Sequence, residues 1–140
     1  MAQRFTIGRL AAHSGCKVPT IRYYEQIGLM APPDRSEGNQ RLYDAAALQR
    51  LAFIRHARDL GFTLDDIRDL LTLSESPDLP CAAADAIARR HLSAVRDRIE
   101  SLRRLEGELE KIATACQSDT VRECRVIEML GREVKGSAVP

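Results

Sequence analysis

Three cysteines, Cys81, Cys116 and Cys124, are the residues of this chain best placed to do chemistry. Thiolates hold soft or borderline metal ions, and they are also the groups that oxidants and electrophiles attack. Between the first two runs CAAADAIARRHLSAVRDRIESLRRLEGELEKIATAC, with no proline and with Gly107 as its one glycine. The stretch is rich in Ala, Leu, Glu and Arg, which favour helix, and Pro80 stands just before it, where a helix start tolerates proline. A single long helix is expected. From Cys81 to Cys116 it would span about 52 Å at ~1.5 Å per residue, whereas a metal–sulfur bond is only about 2.3 Å. Cys81 and Cys116 of one chain therefore cannot share an ion.

The pattern along the helix supplies a way round this. Ala88, Leu92, Val95, Ile99, Leu102, Leu109, Ala113 and Cys116 alternate steps of four and three, with Glu106 the one break. That is the spacing of a narrow coiled-coil seam, and a lone helix has nothing to bury it against. The simplest partner is the same helix of a second chain. If two copies run antiparallel, Cys81 of one lies beside Cys116 of the other. The loop QSDTVRE can fold back and bring Cys124 to Cys116. Three thiols then meet at each end of a homodimer, two from one chain and one from its partner. Against this stands the plain reading that these are small buried packing residues, as free cysteines often are.

Bulk properties narrow the classes. The chain has 140 residues, enough for one modest core, and a net charge of +1. No global basic field announces nucleic acid, so DNA contact has to come from local clusters. No apolar run approaches the roughly 18 residues of a membrane span, and MAQRFTIGRL lacks a signal-peptide core. A cytoplasmic protein without a membrane partner is expected, and in that compartment thiols stay reduced. Four cysteines there favour metal or redox roles over a disulfide framework. No nucleophile motif or phosphate-binding glycine loop is present, so an enzyme is not expected.

The elements that must position these groups start upstream. Thr6 suits the cap of a first helix and Gly15 its left-handed end. A second helix begins near Val18-Pro19-Thr20 and runs through IRYYEQIGL. Two short helices joined through a glycine make a helix-turn-helix pattern. Lys17, Thr20, Arg22 and Tyr23 offer cations, a hydroxyl and a phenol suited to phosphates and base edges. Adjacent helical residues face different ways, so one of Tyr23 and Tyr24 packs inward; Tyr23 is taken as the outward one. Pro32-Pro33 ends this helix. Arg35 to Tyr43 then reads as a two-stranded wing turning at Gly38-Asn39, which puts Arg35 and Arg41 where they can lie along a phosphate backbone. Asp44 caps a third helix and Thr63 a fourth, with Arg50, Arg55, His56 and Arg58 on or near the outer side of the third. Residues 74–80 form a polar linker carrying two prolines, Pro77 and Pro80.

TIRYYEQIGL followed by NQRLY resembles the MerR family of bacterial transcription regulators, and with the long helix and the cysteine loop the likeness covers nearly the whole chain. It implies a mainly α fold, a winged helix-turn-helix DNA-binding head and a long C-terminal helix forming an antiparallel coiled-coil dimer. It matches Arg22, Arg41 and Tyr43 to residues that contact DNA, and Arg55 is added to that set. It implies a homodimer on a palindromic promoter, acting with RNA polymerase and activating transcription by distorting the DNA. A loop with two cysteines after the dimer helix marks the family's metal-responsive branch, and Cys116 and Cys124 match that pair. Cysteine rather than serine at position 81 matches members that read divalent ions. The loop lacks the extra cysteine or histidine of zinc-reading members. Asp119, Glu123 or water would have to complete a tetrahedral zinc site. The expected inducer is therefore a soft divalent ion, Cd, Pb or Hg, with Zn kept open. A thiol-based oxidant or electrophile sensor using the same cysteines without metal is the alternative. The expected layout is a DNA-binding head at 4–73, a linker at 74–80, a dimer helix at 81–116, a metal loop and short helix at 117–133, and a tail at 134–140. Cys16, in the turn before the second helix, is read as a packing residue.

Overall fold

The computed structural model describes residues 3–115 and 120–131, together with all their side chains except that of Glu123. Cys116, Asp119 and the tail at 134–140 lie outside the described residues. The chain divides into two units, Met1–Ile87 and Ala88–Pro140.

The first unit opens with helix α1, Ile7–Ser14. The Thr6 side chain accepts from the Arg9 N–H at 3.3 Å, and Gly15 ends the helix at φ 73°, which favours glycine. Helix α2, Val18–Gln26, carries proline in its first turn, where the absent N–H is no loss. It closes at Gly28, φ 78°, with the Leu29 N–H donating to the Tyr24 carbonyl at 2.8 Å. Strands β1, Asp34–Arg35, and β2, Arg41–Leu42, pair antiparallel with Asp34 opposite Leu42 and Arg35 opposite Arg41. Asn39, at φ 64°, takes the left-handed corner of their turn. Beyond β2, Tyr43 bonds in both directions to Phe5, at 2.7 and 2.8 Å, so the N-terminal extended residues widen the wing's base.

Helix α3, Ala45–Asp59, starts where the Asp44 carboxylate accepts from the Ala47 N–H at 2.9 Å. Helix α4, Leu64–Ser74, starts where Thr63 accepts from Asp66 at 3.1 Å. Leu10, Ile21, Leu29, Leu51, Ile54 and Ile67 are fully buried between these elements and form the centre of the core.

Helix α5, Ala82–Thr114, is continuous for 33 residues. Its one buried residue is Ile87, at the end of the first unit. In the second unit Leu92, Val95, Ile99, Leu102 and Leu109 are all exposed, together with Leu105. Leu105 fills in beside Glu106, so the apolar stripe passes the carboxylate instead of stopping at it. One 3-10 turn, Val121–Glu123, and helix α6, Arg125–Leu130, follow. The architecture is mainly helical, a winged helix-turn-helix head followed by a long C-terminal helix. No helix among the described residues is long and apolar enough to cross a membrane.

Ile54→Ala should lower the head's unfolding free energy by about 2–5 kcal/mol, since it opens a cavity in a closed core. Asp44→Ala, which removes only a cap, should cost about 0.5–2 kcal/mol. Urea midpoints at fixed slope measure both.

Candidate nucleic-acid interface and thiol sites

Helix α2 buries Ile21 and Tyr24 and leaves Arg22 and Tyr23 exposed, because residues one step apart point about 100° apart on a helix. The outward reading of Tyr23 holds. Lys17 is exposed at the N-cap and Thr20 is half-buried. On the wing, Arg35 is exposed and donates to the Asn39 carbonyl at 3.1 Å, which stiffens the turn. Arg41 is half-buried and leans back towards α2. Together Pro19, Arg22, Tyr23, Glu25, Gln26 and Arg41 line an open cleft between helix and wing.

Two expected DNA contacts are placed otherwise. Tyr43 is 2% exposed. It was expected on the wing surface, but its pairing with Phe5 turns the ring into the core, and its hydroxyl donates to Glu25 Oε1. Arg55 reaches back from α3 and donates to the Gly15 carbonyl at the end of α1, with Asp59 3.8 Å from its Nε. It braces the turn of the helix-turn-helix while its side chain stays 45% exposed. Glu25 was not singled out from the sequence. Its side chain is 12% exposed, and it bridges the two wing residues, with Oε2 3.5 Å from Arg41 Nη1. The only sequence signal is a carboxylate next to two tyrosines on α2, and nothing local says which distant groups it meets.

Arg50 and Arg68 were also missed in this role. Arg50 Nε donates to the Leu29 carbonyl at 2.7 Å, and its Nη1 lies 3.0 Å from Glu75. Arg68 donates to the Ile27 carbonyl at 2.7 Å. With Arg55, these arginines of α3 and α4 occupy the carbonyl ends of α1 and α2. A cation is favoured there by the helix dipole and by carbonyls left without intrahelical partners.

The thiols fall in different settings. Cys16 packs partly buried against the core, as a packing residue would, and its N–H donates to Ser14 Oγ at 3.1 Å. Cys81 is exposed in the turn before α5. Cys124 is half-buried between the 3-10 turn and α6. Within the described residues of one chain, no three Cys, His, Asp or Glu side chains converge as metal ligands. Thiols at 81 and 124 suit a soft ion by donor type, and the third expected ligand, Cys116, lies outside the described residues. His56 is exposed on α3.

A helix-turn-helix with an outward cation and phenol, beside a hairpin wing bearing arginines, defines a DNA-binding transcription regulator. Residues 5–73 match the MerR HTH family regulatory protein domain and residues 48–112 the MerR DNA-binding domain, so the chain belongs to the MerR family, a class of regulators and not of enzymes. It is 36% identical over 141 residues to the mercuric resistance operon regulatory protein of Pseudomonas fluorescens, covering 99% of this chain and 96% of that one. Among solved structures it resembles the transcription regulator PbrR691 from Ralstonia metallidurans CH34 in complex with lead(II). The identity is 44%, the TM-score 0.79, and the match covers 90% of this chain and 98% of that one. It also resembles MerR from Bacillus megaterium MB1 in complex with mercury(II), at 30% identity and TM-score 0.68, over 91% of this chain and 100% of that one.

Burial pushes the Tyr43 phenol up to about 12, and the hydrogen bond and charge of Glu25 add to the shift. A phenol raised above its unfolded value near 10 stabilises the fold fully below about pH 10 and loses that contribution as pH climbs towards 12. Unfolding free energy should therefore fall across that window. In Tyr43→Phe the fall should shrink, with a lower plateau near neutral pH, by about 1–3 kcal/mol, from the partner left on Glu25. Denaturant melts from pH 8 to 12 measure both.

Proposed function

We propose that this chain is a metal-responsive regulator that binds a roughly palindromic promoter site as a homodimer. On this reading it activates transcription when a soft divalent ion binds. What carries the reading is the placement of thiols about a long helix. Cys81 stands exposed directly before α5, and Cys124 stands half-buried beyond its other end. The likeness to regulators solved with lead(II) and mercury(II) supports it.

The exposed stripe from Leu92 to Leu109 calls for a partner helix, and an antiparallel second copy meets that need while bringing Cys81 of one chain towards Cys116 and Cys124 of the other. Three thiolates hold a soft divalent ion and supply the charge that a cation of this type prefers. Cd, Pb and Hg fit such a set without further ligands. Zn would draw on Asp119, Glu123 or water for a fourth. Lys17, Thr20, Arg22, Tyr23, Arg35 and Arg41 make the DNA contacts, two copies of α2 entering successive major grooves. Tyr43 and Arg55 serve them from behind, through Glu25 and through the Gly15 carbonyl. Induction requires the thiols to hold the ion better in one arrangement of the two heads than in the other; tight binding alone shifts nothing. RNA polymerase at the distorted promoter is the partner that reads the change. The same thiols could answer an oxidant instead, but the relatives named above are named for, or solved with, mercury or lead.

Cys81→Ser, Cys116→Ser and Cys124→Ser should each keep promoter binding at constant salt and lose metal-induced transcription in vitro. The panel is Cd, Pb, Hg, Zn and Cu(I) under strict reduction. Normal induction in all three variants sinks the shared thiol site, and induction by peroxide without metal moves the assignment to redox sensing. Sedimentation showing a monomer removes the dimer.

A further inference from the structure

We infer that Glu25 is a specificity-determining residue: by holding Arg41 against the recognition helix, it keeps that arginine from gripping DNA of any sequence. This inference rests on the DNA-binding reading above and adds a role for a residue of the opposite charge.

A carboxylate is an unexpected group on a surface that must approach phosphates. Glu25 nevertheless lines the cleft that Arg22, Tyr23 and Arg41 share. Its two oxygens have separate tasks. Oε1 accepts from the Tyr43 hydroxyl, which is itself locked into the core. Oε2 faces Arg41 Nη1 at 3.5 Å, with the Arg41 side chain 33% exposed. The buried phenol thus fixes the carboxylate, and the carboxylate fixes where the wing's guanidinium rests. At 3.5 Å this is an attraction that orients Arg41 without using up its five N–H donors.

Two consequences for DNA follow. On the correct site the guanidinium is already ordered, so less side-chain freedom is lost on binding. On random DNA the same tether holds Arg41 back, and Glu25 cancels part of its charge. Each free cation that neutralises a phosphate steepens the salt dependence by about 0.9 in log–log slope. A restrained Arg41 withholds much of that from non-specific binding.

The test uses the full chain, a duplex selected by the wild-type protein from a random pool, and a scrambled duplex of the same length. Glu25→Gln keeps the volume and the acceptor for Tyr43 but removes the charge. It should bind the scrambled duplex roughly threefold more tightly near 0.1 M salt, with a slope steeper by at most about 0.9. It should bind the selected duplex more weakly, so the ratio of the two affinities falls. In an Arg41→Ala background the same change should leave the slope alone. A merely structural Glu25 would weaken both duplexes alike and leave the slope unchanged; that result overturns the inference, as does a slope change that persists without Arg41. Should Glu25→Gln fail to fold, Glu25→Asp takes its place. Its carboxylate falls short of Arg41, and a wild-type affinity ratio there overturns the inference equally. If the wild-type protein selects no duplex at all, the DNA-binding reading fails first.

Discussion

Helices of eight and nine residues do not hold in water unaided, yet α1 and α2 are that short and must present side chains to DNA at fixed angles. What stabilises them is the burial of Leu10, Ile21 and Tyr24 in the core, and arginines from elsewhere in the chain add bonds to the carbonyls at or just past their ends. Arg55 takes the Gly15 carbonyl, Arg68 that of Ile27 and Arg50 that of Leu29. Each bond joins groups 21 to 41 residues apart in sequence. The head is therefore cross-braced by polar bonds over an apolar core.

The wing obeys the same logic with the charges reversed. A two-residue strand pair is too small to be stable alone. It is tied down by Phe5 on one side, by the Arg4–Asp34 ion pair at 2.7 Å across its base, and by Glu25 reaching from α2 to Tyr43 and Arg41. The surface ion pair contributes little by itself; the buried phenol and the backbone bonds to Phe5 do the holding.

Most of this fold was legible in the sequence where local chemistry decides. Thr6, Asp44 and Thr63 cap the helices that their residue types suggested, and Gly15 takes the left-handed corner assigned to it. Helical spacing puts Tyr23 and Tyr24 on different faces of α2 but does not say which of them turns inward; the structure buries Tyr24. Tyr43 and Arg55 were legible only in part. Their types suit phosphate contact, but a backbone pairing with Phe5 and a reach of 40 residues to Gly15 decide where they go. Neither leaves a trace in local pattern. Sequence spacing makes Glu106 an interruption of the stripe on α5, whereas in the structure Leu105 lies beside it on the same surface. Leu105 falls one step before Glu106, at a heptad position that flanks the seam.

Gly15 sits at φ 73° with the guanidinium of Arg55 lying where a Cβ would be. Alanine there would meet a backbone conformation that side chains dislike, whereas the guanidinium, the tip of a flexible side chain, can move aside. The constraint at this corner is thus set by the backbone and not by its neighbour. Descendants of this sequence would be expected to keep glycine at the turn whichever residue stands at position 55.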